Sequence, residues 1–124
     1  MAVAYSADLH NHTIASDGEY TPTELVQAAR ELGLTAVGVT DHDTLGGLDE
    51  ALAAGQALGI QVVPGVEVSL RFRRPYFTGT LHYLLYIPYA LLPDPAFNEM
   101  AAEIFSQGRG AGLVRARVAA INEA

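Results

Sequence analysis

Apolar positions along the chain alternate between short extended runs and stripes at helical spacing. Val3 to Leu9 is a short apolar run that ends in polar residues of the metal-ligand type. Thr21-Pro22-Thr23-Glu24 predicts a helix start: Thr21 caps, Pro22 suits the first helical position, and Glu24 supplies the carboxylate of a capping box. Leu25, Ala28, Ala29 and Leu32 then repeat at helical spacing until Gly33 ends the helix. Thr35 to Thr40 reads as a buried strand. A second helix is expected from about Leu48 to Leu58, with Leu48, Leu52, Gly55 and Leu58 on one face and Gly59 as its stop. Ile60 to Val63 continues as a strand, broken at Pro64-Gly65, with Val66 to Ser69 beyond the break. Thr80 to Ile87 is the next extended run.

Strands separated by helices of this length imply parallel βαβ units with right-handed crossovers. The expectation is an open α/β sheet of about four mainly parallel strands in sequence order, followed by a C-terminal helical segment. Arg71-Phe72-Arg73-Arg74-Pro75 reads as a loop by its proline and its charge. From Asp94-Pro95 onward a helix is expected, with Phe97, Met100, Ala101, Ile104 and Phe105 as its buried stripe. Gly108, Gly110 and Gly112 should interrupt it, since each internal glycine costs about 1 kcal/mol relative to alanine. Val114, Val118 and Ile121 resume a stripe to the end. We expect one domain over residues 1–124, with a ligand-bearing core at 1–92 and the helical segment at 93–124.

Composition narrows the class. The chain has 124 residues, half of them apolar and 17% charged, which suits a globular domain with a real core. It has no cysteine, so disulfides and thiolate metal sites are excluded. No stretch approaches the ~20 apolar residues of a membrane span, and the expected location is cytoplasmic. Net charge is −7, unevenly spread: residues 1–67 hold ten acids against Arg30 alone, and residues 68–124 hold four acids and six arginines. An acidic first half does not attract phosphate unless cations intervene. The asymmetry fits a metal site there better than a nucleic-acid surface.

The histidines give that site its chemistry. Asp8-Leu9-His10-Asn11-His12 puts two imidazoles at i and i+2, on one side of an extended segment. Ser16-Asp17-Gly18 follows as a turn that can fold a carboxylate back over the strand end. Thr40-Asp41-His42-Asp43 lies directly after the second strand, where parallel α/β folds bind ligands. Glu67 falls just past the third strand and His82 inside the fourth. Each has an ordinary reading: a surface pair, a helix cap, a solvated carboxylate or a hydrogen-bonded core histidine. Their joint placement at corresponding ends or faces of successive strands points to metal binding.

Asp8 to Thr13 with Ala15 to Gly18, then Val39 to Thr44, then Pro64 to Ser69, then Leu81-His82-Tyr83, resembles the polymerase-and-histidinol-phosphatase (PHP) family in order and spacing. The likeness is greatest to its stand-alone phosphoesterases and covers about residues 3–88. Four motifs in the right order are a specific signal. The resemblance implies a distorted (β/α) barrel holding two or three divalent ions, zinc, manganese or iron. It implies His10, His12, Asp17, His42, Glu67 and His82 as metal ligands, Glu67 as the bridge between ions, and Asp8 and Asp41 as groups that orient imidazoles. The implied activity is metal-assisted hydrolysis of a phosphate-bearing small molecule or nucleotide, with no protein nucleophile. Arg71, Arg73 and Arg74 are candidates to clamp substrate phosphate.

The chain also departs from the family. The later motifs, a His-Pro histidine and an Asp-x-His pair, have no counterpart, because no histidine follows His82. A fragment of a longer protein, or a short form completed by self-association through the C-terminal segment, would account for that. Two other classes stay open: a non-catalytic metal-binding module, and a PHP domain serving a polymerase assembly. Gly108 to Gly112 does not read as a phosphate loop, since no strand leads into it.

Overall fold

The computed structural model describes residues 4, 6–106, 118, 119, 121 and 122. Its elements are β1 (Ala7–Asp8), α1 (Pro22–Glu31), β2 (Ala36–Val39), α2 (Leu48–Leu58), β3 (Gln61–Arg74), β4 (Phe77–Tyr86), a short 3-10 turn (Tyr89–Leu91) and α3 (Pro95–Ser106). The four strands form one curled, half-barrel sheet in the order β1-β2-β3-β4. β1, β2 and β3 pair in parallel, as helical crossovers require. Among the described residues no helix is long and apolar enough to cross a membrane.

Both crossover helices start and stop where their local chemistry says. Thr21 accepts from the Glu24 amide at 3.1 Å while Glu24 takes the Thr21 amide at 2.8 Å, closing the capping box. Glu50 at the start of α2 accepts from the amide and hydroxyl of Thr23, tying the two helix N-termini together. α2 ends at Gly59 in a left-handed conformation, φ 71°, that a side chain would strain. Val26 and Ala29 of α1, Leu48, Ala51 and Ala54 of α2, and Val37, Val39, Val62 and Val66 of the sheet form the core. Of the expected stripe Ala29 is buried, Leu25 and Ala28 are half-buried and Leu32 is exposed, while Val26, outside it, is fully buried. Leu32 is the C-cap and remains 80% exposed, because the helix stops before it can turn inward.

The second half of the sheet differs from the expectation in three linked ways. Pro64-Gly65 does not break the third strand, which runs unbroken for 14 residues. At Pro64 the pairing passes from β2 to β4: Pro64 stands opposite Val39, and its carbonyl accepts from Ile87 at 2.9 Å. Proline brings no N–H to such a changeover, but its carbonyl still serves the new neighbour. Arg71 to Arg74 are therefore strand rather than loop, and the turn falls at Pro75-Tyr76. Two residues cannot carry a parallel crossover, so β4 returns antiparallel, from Arg74↔Phe77 to Gly65↔Tyr86. The fourth strand is thus the one that departs from the parallel expectation.

α3 forms where expected, and Ala101 is buried with Phe97 and Phe105 packed on the core. Met100 and Ile104 remain more than half exposed and line an apolar groove of ≈ 750 Å³ between α3 and the β3–β4 ribbon. The glycine interruption at 108–112 and Val114 of the resumed stripe lie outside the described residues. Removing the capping box should be felt globally. Thr21→Ala is expected to lower unfolding free energy by about 1 kcal/mol, read from urea denaturation followed by circular dichroism. An unchanged midpoint would contradict the cap's role.

Candidate metal centre

The site forms at the carboxyl ends of β1 and β2 and along the part of β3 that outruns them. Asn11 stitches the first two segments together: its amide donates to Thr40 Oγ1 at 3.2 Å, its carbonyl accepts the Thr40 amide at 2.9 Å, and its side chain donates to the Gly38 carbonyl. This holds His10 and His12 in extended geometry beyond β1. His42, just after β2, forms an isolated parallel bridge with Glu67. The Glu67 amide donates to the Asp41 carbonyl and its carbonyl accepts the Asp43 amide, both at 3.1 Å. Residues 25 positions apart are thereby fixed side by side.

All six expected ligands come together. Glu67 Oε2 lies 2.8 Å from His10 Nε2, 3.0 Å from His12 Nε2 and 3.8 Å from His42 Nδ1. Its other oxygen, Oε1, is 3.7 Å from His82 Nδ1. Asp17 folds back as expected, with one oxygen 3.6 Å from His12 Nδ1 and the other 3.5 Å from His42 Nε2. A Cβ on Gly18 would run into the His12 carbonyl, so only glycine lets this turn close over the strand end. His82 stands not at a strand end but within β4, opposite Ser69, whose hydroxyl is 3.4 Å from His82 Nδ1. The hairpin, not a parallel crossover, delivers it.

The two carboxylates expected to orient imidazoles do other work. Asp41 is buried and accepts from the Thr13 amide at 2.6 Å, the Thr13 hydroxyl at 2.8 Å and the Ser16 hydroxyl at 2.6 Å. It braces the turn that carries Asp17. Asp8 contacts His10 through the backbone amide, at 3.3 Å. Asp43, for which a cap-type bond to backbone amides is the ordinary reading, stands in the left-handed region at φ 49°. Its carboxylate accepts the Ser69 amide at 2.8 Å and so clips the loop after β2 to β3 beside Glu67. An acidic residue in a turn tolerates that conformation better than most. Arg71, Arg73 and Arg74 lie on β3 beyond the cluster, all exposed.

The donor set fits divalent cations. Two ligands of one ion with bonds near 2.1 Å stand about 3.0–3.4 Å apart, close to the spacings around Glu67. Three overlapping groups each bring their ligand atoms within 4.8 Å: His10, His12 and Glu67; His12, Asp17 and His42; His42, Glu67 and His82. Glu67 Oε2 faces His10, His12 and His42, and Oε1 faces His82. Among the described residues His12 Nδ1 is buried without a hydrogen-bond partner, an arrangement that normally calls for explanation. His12 and His42 rings stack at 4.4 Å, and His10 and His12 nitrogens lie 3.2 Å apart. Protonated imidazoles at that spacing would repel, whereas a shared cation would bind their lone pairs.

Burial works against the charged form of Glu67, but the hydrogen bond from His10 and the charges of His42, His10 and His12 outweigh it. Its carboxyl is held below the ordinary 4.5. A depressed folded value contributes stability in full above the unfolded value, and loses it as pH falls through the folded one. Carbon-detected NMR titration of the metal-free chain should find the Glu67 midpoint below 4.5. A midpoint above it would show that desolvation wins.

Among known proteins the chain matches the PHP domain over residues 8–104. It is 41% identical over 110 residues to the 3',5'-nucleoside bisphosphate phosphatase of Chromobacterium violaceum, covering 89% of this chain and 35% of that protein. To the 5'-3' exoribonuclease of Haemophilus influenzae it is 48% identical over 62 residues, covering 50% of this chain and 23% of the other. The crystal structure of a candidate metal-dependent phosphoesterase from Bifidobacterium adolescentis superposes with a TM-score of 0.73 at 36% identity, covering 91% of this chain and 36% of that one. The chain therefore spans about a third of the length of these relatives, or less. The family match takes in β2, β3, β4 and all six converging side chains, and the chain belongs to the PHP domain family.

Proposed function

We propose that this chain carries the ligand-bearing part of a metal-dependent phosphoesterase site, acting on phosphate esters of small molecules or nucleotides. The observation that supports it most is Glu67, a buried carboxylate with three imidazoles about one oxygen and a fourth near the other. His10, His12, Asp17, His42, Glu67 and His82 would hold the ions, and mixed imidazole and carboxylate donors suit zinc, manganese or iron. Such ions supply hydroxide at neutral pH and neutralise charge on the phosphate. The chain's own part is to aim the imidazoles, to hold Glu67 ionised, and to fix Asp17 through the Asp41-braced turn. Relatives named as a phosphatase and an exoribonuclease agree with that chemistry.

Titration calorimetry with manganese or zinc, alongside hydrolysis of p-nitrophenyl phosphate, tests the reading. Stoichiometric binding is expected, with turnover abolished by a chelator and affinity lowered at least about tenfold in Glu67→Gln, the lower end of what even supporting residues contribute. Affinity should fall with pH as ligand imidazoles protonate. A chain that binds no metal would overturn the reading. One ion without turnover would favour a non-catalytic metal-binding module.

We propose further that two copies associate through α3. Met100 and Ile104 on that helix, and Leu85 on β4, are each more than half exposed, and among the described residues β4 leaves one edge of the sheet unpaired. Apolar faces of this kind are uncommon on stable monomers. Light scattering at tens of micromolar should give a dimer mass; a monomer mass would refute association.

A further inference from the structure

Side chains on β3 alternate between the two faces of the sheet. Val66, Val68, Leu70 and Phe72 line the apolar groove, so Glu67, Ser69, Arg71 and Arg73 share the opposite face, that of the candidate metal centre. β4 continues the same face: His82 stands opposite Ser69, Thr80 opposite Arg71 and Thr78 opposite Arg73. The ribbon thus presents ligand groups first and then two rungs, each an arginine beside a threonine hydroxyl. Arg74 is not among them. It lies on the groove side, with its guanidinium 5.0 Å over the Phe72 ring and Nη1 donating to the Arg73 carbonyl at 3.0 Å.

Arg71 and Arg73 form no ion pair among the described residues, although carboxylates are plentiful in this chain. At about 3.3 Å per residue they start about 13 and 20 Å along the strand from Glu67. A long side chain on either rung can lean back toward the site, but neither needs to reach the ester being cut. Residues 1–67 carry ten acids and only Arg30, so a further anionic group on the substrate finds little to hold it in the first half and two arginines along this ribbon. Guanidinium forks flanked by hydroxyls are the chemistry that receives phosphate oxygens.

We infer that Arg71 and Arg73 hold a second phosphate of the substrate and select for phosphate esters that carry one. This inference rests on the metal-dependent phosphoesterase reading above. The test is calorimetry on the manganese-loaded, full 124-residue chain with a nucleoside 3',5'-bisphosphate, a 5'-phosphorylated dinucleotide and a nucleoside 5'-monophosphate. At least one of the two-phosphate probes should bind about tenfold tighter than the monophosphate, the scale of one charge-assisted hydrogen bond at a solvated site. Arg71→Ala and Arg73→Ala should each remove most of that preference and leave monophosphate affinity within about twofold, whereas Arg74→Ala changes neither. Preference for the bisphosphate alone points to a small-molecule second phosphate, and preference for the dinucleotide to an internucleotide one. Equal affinity for all three probes, or an equal loss in Arg74→Ala, overturns the inference. Manganese stoichiometry from the same preparation separates the two failures: no metal sinks the earlier reading, whereas bound metal without preference sinks this one alone.

Discussion

Two backbone hydrogen bonds to Glu67, from its amide to the Asp41 carbonyl and from the Asp43 amide to its carbonyl, set the position of everything else in the centre. They extend the parallel ladder past the end of β2 by a single bridge. Without that bridge β3 would leave the sheet carrying a carboxylate with no fixed relation to the histidines. With it, a side chain from β3 meets imidazoles from the segments after β1 and β2 and from β4. The β4 imidazole arrives only because the same strand turns back on itself as a hairpin. Backbone geometry is thus settled before any ligand–ligand attraction is asked to help. Imidazoles packed this closely gain little from one another.

The conflict between burial and charge at Glu67 is resolved by the same arrangement. A buried carboxylate is costly unless paired. Here imidazoles surround it on the site side while the backbone holds it from behind. Asp41 is the complementary case: it is buried more deeply, yet spends its oxygens on Thr13 and Ser16 rather than on rings. One acid faces the chemistry and the other holds the loop that faces it.

Much of this could be read from the sequence because the signals are local. The capping box at Thr21 and Glu24 and the stop at Gly59 need only neighbouring residues. The i, i+2 histidines need only strand periodicity, and motif order pointed to the six side chains that converge. What could not be read depends on partners distant in sequence. Pro64 looks like a break because its missing N–H is visible, whereas the change of neighbour that makes the gap harmless is not. Arg71 to Arg74 look like loop because an exposed two-stranded ribbon carries charge much as a loop does. Asp41 sits among residues that suggest metal support, but its partners are 25 and 28 positions away. Asp43 is a clip only because its backbone turns left-handed, which composition does not announce.

The most direct test of the centre is X-ray absorption at the zinc edge on the zinc-loaded chain. Convergence on Glu67 predicts a first shell of mixed nitrogen and oxygen with the multiple-scattering pattern of at least two imidazoles, near 2.0–2.1 Å, about the length of zinc–imidazole bonds. A shell of oxygen alone, with no imidazole scattering, would contradict it.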